Sequence, residues 1–197
     1  MKIFIATHNR KKLSELRRIL EPMGFEVISG NELDKPMPEV EETGTTFEEN
    51  ALLKARAGLD FTGFISVADD SGLCVDFLNG EPGVYSARYS GENANDEKNN
   101  NKLLNALAGV EPEKRSAHYV AAIACVFPDG REFTVRGECY GYIGTERHGN
   151  SGFGYDPLFH SEIGWFGELS PEEKDSVSHR GKALALFSEQ LKNYIGE

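Results

Sequence analysis

The chain is poor in cysteine, in long apolar runs and in positive charge. Its three cysteines, Cys74, Cys125 and Cys139, are odd in number and form no Cys-x-x-Cys pair. That argues against a disulfide framework or a structural zinc site, and for reduced, buried thiols in a cytoplasmic protein. The longest apolar run, Val120 to Phe127, is far too short to cross a bilayer. The segment Met1–Ala6 is too short for the apolar region of a signal peptide, so a cytoplasmic location is expected. Lys and Arg number 21 against 32 Asp and Glu, a net charge of −11. This argues against broad, non-specific nucleic-acid binding, which would need a basic face, although a few converging cations can still bind a polyphosphate. No Gly-x4-Gly-Lys-Ser/Thr stretch is present, which excludes an ordinary P-loop. Ser151-Gly152-Phe153-Gly154 lacks the third glycine of a dinucleotide fingerprint.

What is present is an ordinary soluble composition, 39% hydrophobic and 27% charged over 197 residues, enough for one domain or two small lobes. The most informative stretch is Val67-Ala68-Asp69-Asp70-Ser71-Gly72-Leu73. Apolar residues on both sides predict a buried strand that breaks for a polar turn. Successive side chains on a strand face opposite ways, so Asp69 and Asp70 cannot share one site unless the strand ends or bulges there. A buried carboxylate needs a metal, a cation or hydrogen-bond donors, and at least one of the two should meet one. The plainer reading is a turn in which an Asp caps backbone amides.

Along the chain, Ile3–Ala6 predicts a first strand, Thr7-His8-Asn9-Arg10-Lys11-Lys12 a polar turn, and Leu13, Leu16, Ile19 and Leu20 a helix stopped by Pro22 and Gly24. A strand, turn and helix N-terminus make a recurrent anion site, and cations placed there oppose the helix dipole, a cost that a bound anion relieves. The alternative is a solvated basic turn capped by Asn9. Phe25–Ser29 predicts a second strand, followed by an acidic loop with Glu39, Glu41 and Glu42, and by a helix from the Thr46/Glu49 capping box to about Leu59. Glu42 before that helix and Lys54 within it suit a metal-plus-phosphate pairing. Asn95 is predicted to cap a further helix. His118–Phe127 and Glu132–Val135 predict a hairpin, with His118 structural. Ser170, Pro171 and Glu173 start a short helix carrying Lys174, and Ser178-His179-Arg180-Gly181 opens the last one. The alternation of strand and helix favours an α/β fold with a mixed sheet.

Six stretches in this order, ATHNRKK, EETGTTFEENALLKA, ADDSGL, PGVYSARYSG, SGFGYDPLF and EEKDSVSHRGKAL, resemble the inosine triphosphate pyrophosphatase family. The resemblance runs from about Ile3 to Phe187, nearly the whole chain. It implies a single domain over residues 1–197, built as an elongated mixed sheet flanked by helices, with two lobes around a central substrate cleft, working as a homodimer. It implies hydrolysis of ITP, dITP and XTP to the monophosphate and pyrophosphate with Mg²⁺. By motif position, Thr7, His8, Asn9, Arg10, Lys11 and Lys12 match the phosphate-binding turn, and Lys54 a further triphosphate contact. Glu42 and Asp70 match the metal ligands, and Asp70 also the catalytic base. Ser71 matches a substrate contact. Phe153, Gly154, Tyr155, Asp156, Lys174, His179 and Arg180 match residues that hold the base and sugar. Arg88 in the fourth motif is a candidate only. Glycine is common in the family where this chain has His8 and Lys11, which implies an altered turn or an added phosphate contact.

Two other readings stand beside this one. A nucleotide-sensing regulator is disfavoured by the carboxylate pair Glu42 and Asp70, because binding alone would favour cations. A phosphotransferase attacking the γ-phosphorus is separated by its product, which is orthophosphate or a transferred phosphate rather than pyrophosphate.

Overall fold

The computed structural model describes residues 1–33, 35 and 37–196, the side chains of Ile19 and Asn31 excepted. Its strands form one seven-stranded sheet in the order β2-β1-β3-β4-β5-β6-β7. These are β1 (Lys2–Ile5), β2 (Glu26–Ser29), β3 (Ile65–Val75), β4 (Ser116–Val126), β5 (Glu132–Ile143), β6 (Phe159–Ser161) and β7 (Gly164–Trp165). The helices are α1 (Arg10–Leu20), α2 (Phe47–Thr62), α3 (Asp96–Ala106), α4 (Pro171–Val177) and α5 (His179–Ile195). β1 is parallel to both β2 and β3, whereas β5–β6 and β6–β7 are antiparallel, so the sheet is mixed as the strand–helix alternation predicts. None of the helices among the described residues is long and apolar enough to cross a membrane.

The chain divides into two compact units. The first comprises Met1–Asp70, Ala122–Arg136 and Ala183–Glu197. Its interior is built on β1, whose Ile3, Phe4 and Ile5 are fully buried with Leu16 and Leu20 of α1 and Ala51 and Ala55 of α2. The register Ile3↔Ile65, Ile5↔Val67 fixes β3 beside β1, and Ala6 N–H extends the pairing to Val67 O at 2.8 Å. Gly58 lets α2 approach these strands, because a Cβ there would run into Ser66, Ala6 and Phe4. Thr46 caps α2 in the predicted box: its Oγ1 accepts from Glu49 N–H at 3.2 Å while Glu49 Oε2 accepts from Thr46 N–H at 3.2 Å.

The second unit comprises Ser71–Ala121 and Gly137–Lys182. Leu73, Leu103, Leu107, Ile143, Leu158, Phe159 and Phe166 form its core together with Tyr119 and Tyr155. α3 is capped by Asn95, which accepts from Lys98 N–H at 2.9 Å, and α4 by Ser170, which accepts from Glu173 N–H at 3.3 Å. Both caps stand where the sequence places them, since capping groups lie only three residues apart.

Two element predictions are corrected. β3 does not break at Asp69-Asp70 but runs unbroken to Val75, because each carboxylate finds a lysine on its own side of the strand. The second strand of the hairpin extends beyond Val135 to Ile143. Its burial alternates there, with Cys139 buried between Glu138 and Tyr140, so polar residues on the outward face hide the strand from an apolar-run reading.

Candidate active site

In the first unit, the segment read as a basic turn is partly helix. Asn9 is the N-cap of α1, and its Oδ1 accepts from Lys11 N–H at 2.9 Å and Lys12 N–H at 3.2 Å. Thr7 Oγ1 accepts from Asn9 N–H at 3.2 Å, which ties the capping residue to the end of β1. The Asn9 cap is thus found, and it orients a first turn that holds Arg10, Lys11 and Lys12 and no acidic residue. His8, Arg10 and Lys11 are exposed. Outside glycine, the described residues with positive φ are Asn79 and Asn93, so His8 and Lys11 sit in the turn without backbone strain.

Asp69 and Asp70 are 2% and 6% exposed, and the strand's alternation sends them to different partners. Asp69 Oδ2 lies 3.0 Å from Lys12 Nζ on α1. Asp70 Oδ1 lies 3.2 Å from Lys54 Nζ on α2, and the same ammonium donates to Glu42 Oε1 at 2.6 Å. Asp70 Oδ2 accepts from Asn50 Nδ2 at 3.3 Å, while Asn50 Oδ1 accepts from Gly44 N–H at 2.8 Å. Burial pushes the Asp70 carboxyl above the usual aspartate range, with Lys54 and Lys12 opposing and Glu42 adding to the rise. Burial by itself would lower the Lys54 ammonium, but Asp70, Asp69 and Glu42 outweigh it and hold it above the ordinary lysine value.

The donor set suits a hard divalent cation. Glu42 and Asp70 each aim an oxygen at one ammonium, so two carboxylates already converge on a single positive charge. Among the described residues no group of three or more His, Cys, Asp and Glu could hold a metal ion. Two carboxylates with the remaining positions left to water and phosphate is the pattern Mg²⁺ favours.

In the second unit, the glycine-rich loop and the start of α5 meet. Phe153 N–H donates to Asp156 Oδ2 at 2.8 Å, and Lys174 Nζ donates to the same oxygen at 2.6 Å. The half-buried Phe153 ring has Lys174 Nζ 5.0 Å and Arg180 Cζ 5.6 Å from its centroid. Arg180 Nη2 donates to Ser71 Oγ at 3.0 Å. The His179 ring stacks on Tyr119, centroids 4.6 Å apart and 9° from parallel. Ser178 Oγ caps α5 by accepting from Gly181 N–H at 3.0 Å. Gly152 is required here twice: its φ is +77°, and a Cβ would collide with the Asp156 carboxylate.

One placement differs from the sequence reading. Tyr155, read with Phe153 as a ring able to stack on a base, is 3% exposed, and its hydroxyl donates to Ser86 O at 2.8 Å. Its ring belongs to the core, and burial pushes its phenol well up. The sequence reading also missed Asn50, Asp96, Asn100 and Tyr119. A signal existed for Asn50, which lies one helical turn before Lys54 and so on the same face.

The model of the Ham1 family matches residues 3–190, and the chain belongs to that family. It is 50% identical over 192 residues to the dITP/XTP pyrophosphatase of Geobacter sulfurreducens, covering 96% of each chain. The dITP/XTP pyrophosphatase of Desulforamulus reducens is 50% identical over 193 residues, covering 97% of this chain and 96% of that one. Among solved structures, the Staphylococcus aureus Ham1 protein superposes with a TM-score of 0.89 at 41% identity, over 98% of this chain and 100% of that one. The structure of a nucleoside-triphosphatase, dITP/XTP pyrophosphatase from Mycobacterium abscessus, gives 0.78 at 49% identity, over 95% and 97%. The family to which the six motifs point is thus shown.

Proposed function

We propose that the protein hydrolyses ITP, dITP and XTP to the nucleoside monophosphate and pyrophosphate with Mg²⁺, removing these triphosphates from the nucleotide pool. The observation that carries this is the convergence of Glu42 and Asp70 on Lys54, with the Asp69–Lys12 pair on the adjacent residue of the same strand. The names of the relatives support the substrate class.

Glu42 and Asp70 would hold the Mg²⁺, which when bound supplies charge neutralisation at the phosphate oxygens. Thr7, His8, Asn9, Arg10, Lys11 and Lys12 bind the polyphosphate, with Lys12 and Lys54 offsetting the charge that develops as water attacks the α-phosphorus and pyrophosphate leaves. Asp70 takes the proton of that water. Asn50 fixes the orientation of its carboxyl, and a water between Asp70 and the ion would leave the carboxylate basic enough for that role. Ser71, Phe153, Gly154, Asp156, Lys174, His179 and Arg180 receive the sugar and base, with Tyr155 anchoring the loop from the core. Phe153 offers the stacking face. Donors from His179 and Arg180 meet a 6-keto acceptor, whereas adenine presents an amino donor and leaves them unpaired. Guanine, which shares the 6-keto group, is rejected through its 2-amino group.

The whole chain acts as one domain and as a homodimer in the cytoplasm. Three free thiols suit a reducing compartment, and the exposed rings of Tyr140 and Tyr142 on β5 suit a covered face. Light scattering on purified protein tests the dimer.

The deciding measurement is pyrophosphate release with Mg²⁺ from ITP, XTP and dITP against ATP and GTP. Fast release from the first three and slow release from the last two is expected. Orthophosphate as product, or no turnover by folded protein, overturns the reading. Asp70→Asn should abolish turnover, and an Asp69→Asn variant that alone abolished it would move the base to Asp69. Arg180→Ala should weaken ITP turnover far more than Mg²⁺ binding.

A further inference from the structure

The loop carrying Phe153 is held from outside its own turn. Gly154, the next residue, is gripped on both sides by α3: its N–H donates to Asp96 Oδ2 at 2.8 Å, and its carbonyl accepts from Asn100 Nδ2 at 2.8 Å. Asp96 and Asn100 are four residues apart, so both side chains leave the same face of the helix. Asn100 is 3% exposed, and its amide also donates to Asp96 O at 2.6 Å, which fixes its rotamer within the first turn. Gly154 has a φ of +62°, a conformation glycine shares with alternatives of similar energy, so the conformation seen is selected by these two bonds.

The neighbouring Asn99 does the same for a second segment. Its Nδ2 donates to Ser86 O at 3.3 Å and Ala87 O at 3.1 Å, and its Oδ1 accepts from Ser90 N–H at 2.8 Å. Ser86 Oγ in turn accepts from Leu73 N–H at 2.9 Å, just beyond Ser71. The polar face of α3 therefore serves backbone groups of the two loops that flank the Phe153–Arg180–Ser71 cluster.

We propose that Asp96 and Asn100 are positioning residues for the nucleobase: by clamping the Gly154 peptide they fix the backbone from which the Phe153 ring projects over Lys174 and Arg180. They act through Gly154, and the bonds that place them run to its peptide and to α3 itself. Their loss thus falls on base affinity and base discrimination, and the chemical step is spared. The inference rests on the reading that residues 151–156 receive the base.

The test uses the full-length protein and compares Asn100→Ala, Asp96→Ala and Asp96→Asn with Arg180→Ala as reference. Asp96 is exposed, so its variants keep the fold, and Asp96→Asn retains an acceptor for Gly154 N–H. Both alanine variants should raise the calorimetric Kd for inosine monophosphate and the KM for ITP by about tenfold, with kcat within about twofold of the parent. The preference for ITP over GTP should fall, amide exchange at residues 153–155 should accelerate, and Asp96→Asn should behave as the parent. Faster exchange with unchanged monophosphate affinity, or a fall in kcat at constant KM, overturns the proposal. If Arg180→Ala also leaves monophosphate affinity unchanged, the base-site reading itself falls and takes the proposal with it.

Discussion

Lys54 Nζ, 2.6 Å from Glu42 Oε1 and 3.2 Å from Asp70 Oδ1, sits where two carboxylates would share a divalent ion. The ammonium and the ion compete for the same oxygens, and a bound triphosphate would draw the lysine away. Lys54→Met is therefore expected to tighten Mg²⁺ binding to the nucleotide-free protein by about tenfold in calorimetry, while turnover falls about a hundredfold or more. Asp70 gives a second prediction. Its folded pKa is raised above the reference value of 3.8, so the fold favours the protonated form. The stability this confers is present below the unfolded pKa and is lost as pH rises through the folded one. At neutral pH the ionised carboxylate carries the cost of its burial, offset by the Lys54 charge that it holds, so the melting temperature of metal-free Asp70→Asn relative to the parent should be higher at pH 7 than at lower pH. Thermal melts should show it falling towards pH 4, as the parent's Asp70 protonates. At this scale the sequence shows the carboxylates and the cations but not their pairing. Asn50 meets Asp70 twenty residues away and Asp96 meets Gly154 fifty-eight away, and no local pattern announces such partners.

Elements were legible where their signals are local. The caps at Asn9, Thr46, Asn95 and Ser170 each bind an amide two or three residues on, and all four are found. The polar centre of β3 looks like a turn in the sequence; Lys12 of α1 and Lys54 and Asn50 of α2 let the strand run on through it. The glycine-rich loop is an element whose geometry a single methyl group would break. Gly152→Ala places a side chain at φ +77° and against Asp156, the acceptor for both Phe153 N–H and Lys174. It should lower the melting temperature by roughly 2–6 °C and raise the KM for ITP, as read by thermal melts and steady-state kinetics.

For the whole molecule, the mixed sheet, its family and two lobes were readable from the sequence, while the boundaries of the two units were not, since β3, β4 and β5 each give residues to both. The scarcity of cysteine also has a consequence at this scale. Burial pushes the Cys139 thiol up to about 11 and Cys125 higher still, so neither presents a thiolate near neutral pH. Iodoacetamide at pH 7.5 should label Cys74 alone in native protein and all three thiols after unfolding, as counted by mass spectrometry. Finally, the pairing Ile5↔Val67 stands two residues before Asp69, and strand neighbours face opposite ways. Sliding β3 by one residue against β1 would turn Asp69 towards α2 and Asp70 towards α1, exchanging their lysines while leaving every backbone bond available. The short link between α2 and β3, Gly63-Phe64, is then a ruler: its composition can drift over evolutionary time, but its length cannot, and single-residue insertions or deletions there should be purged even where the fold tolerates them.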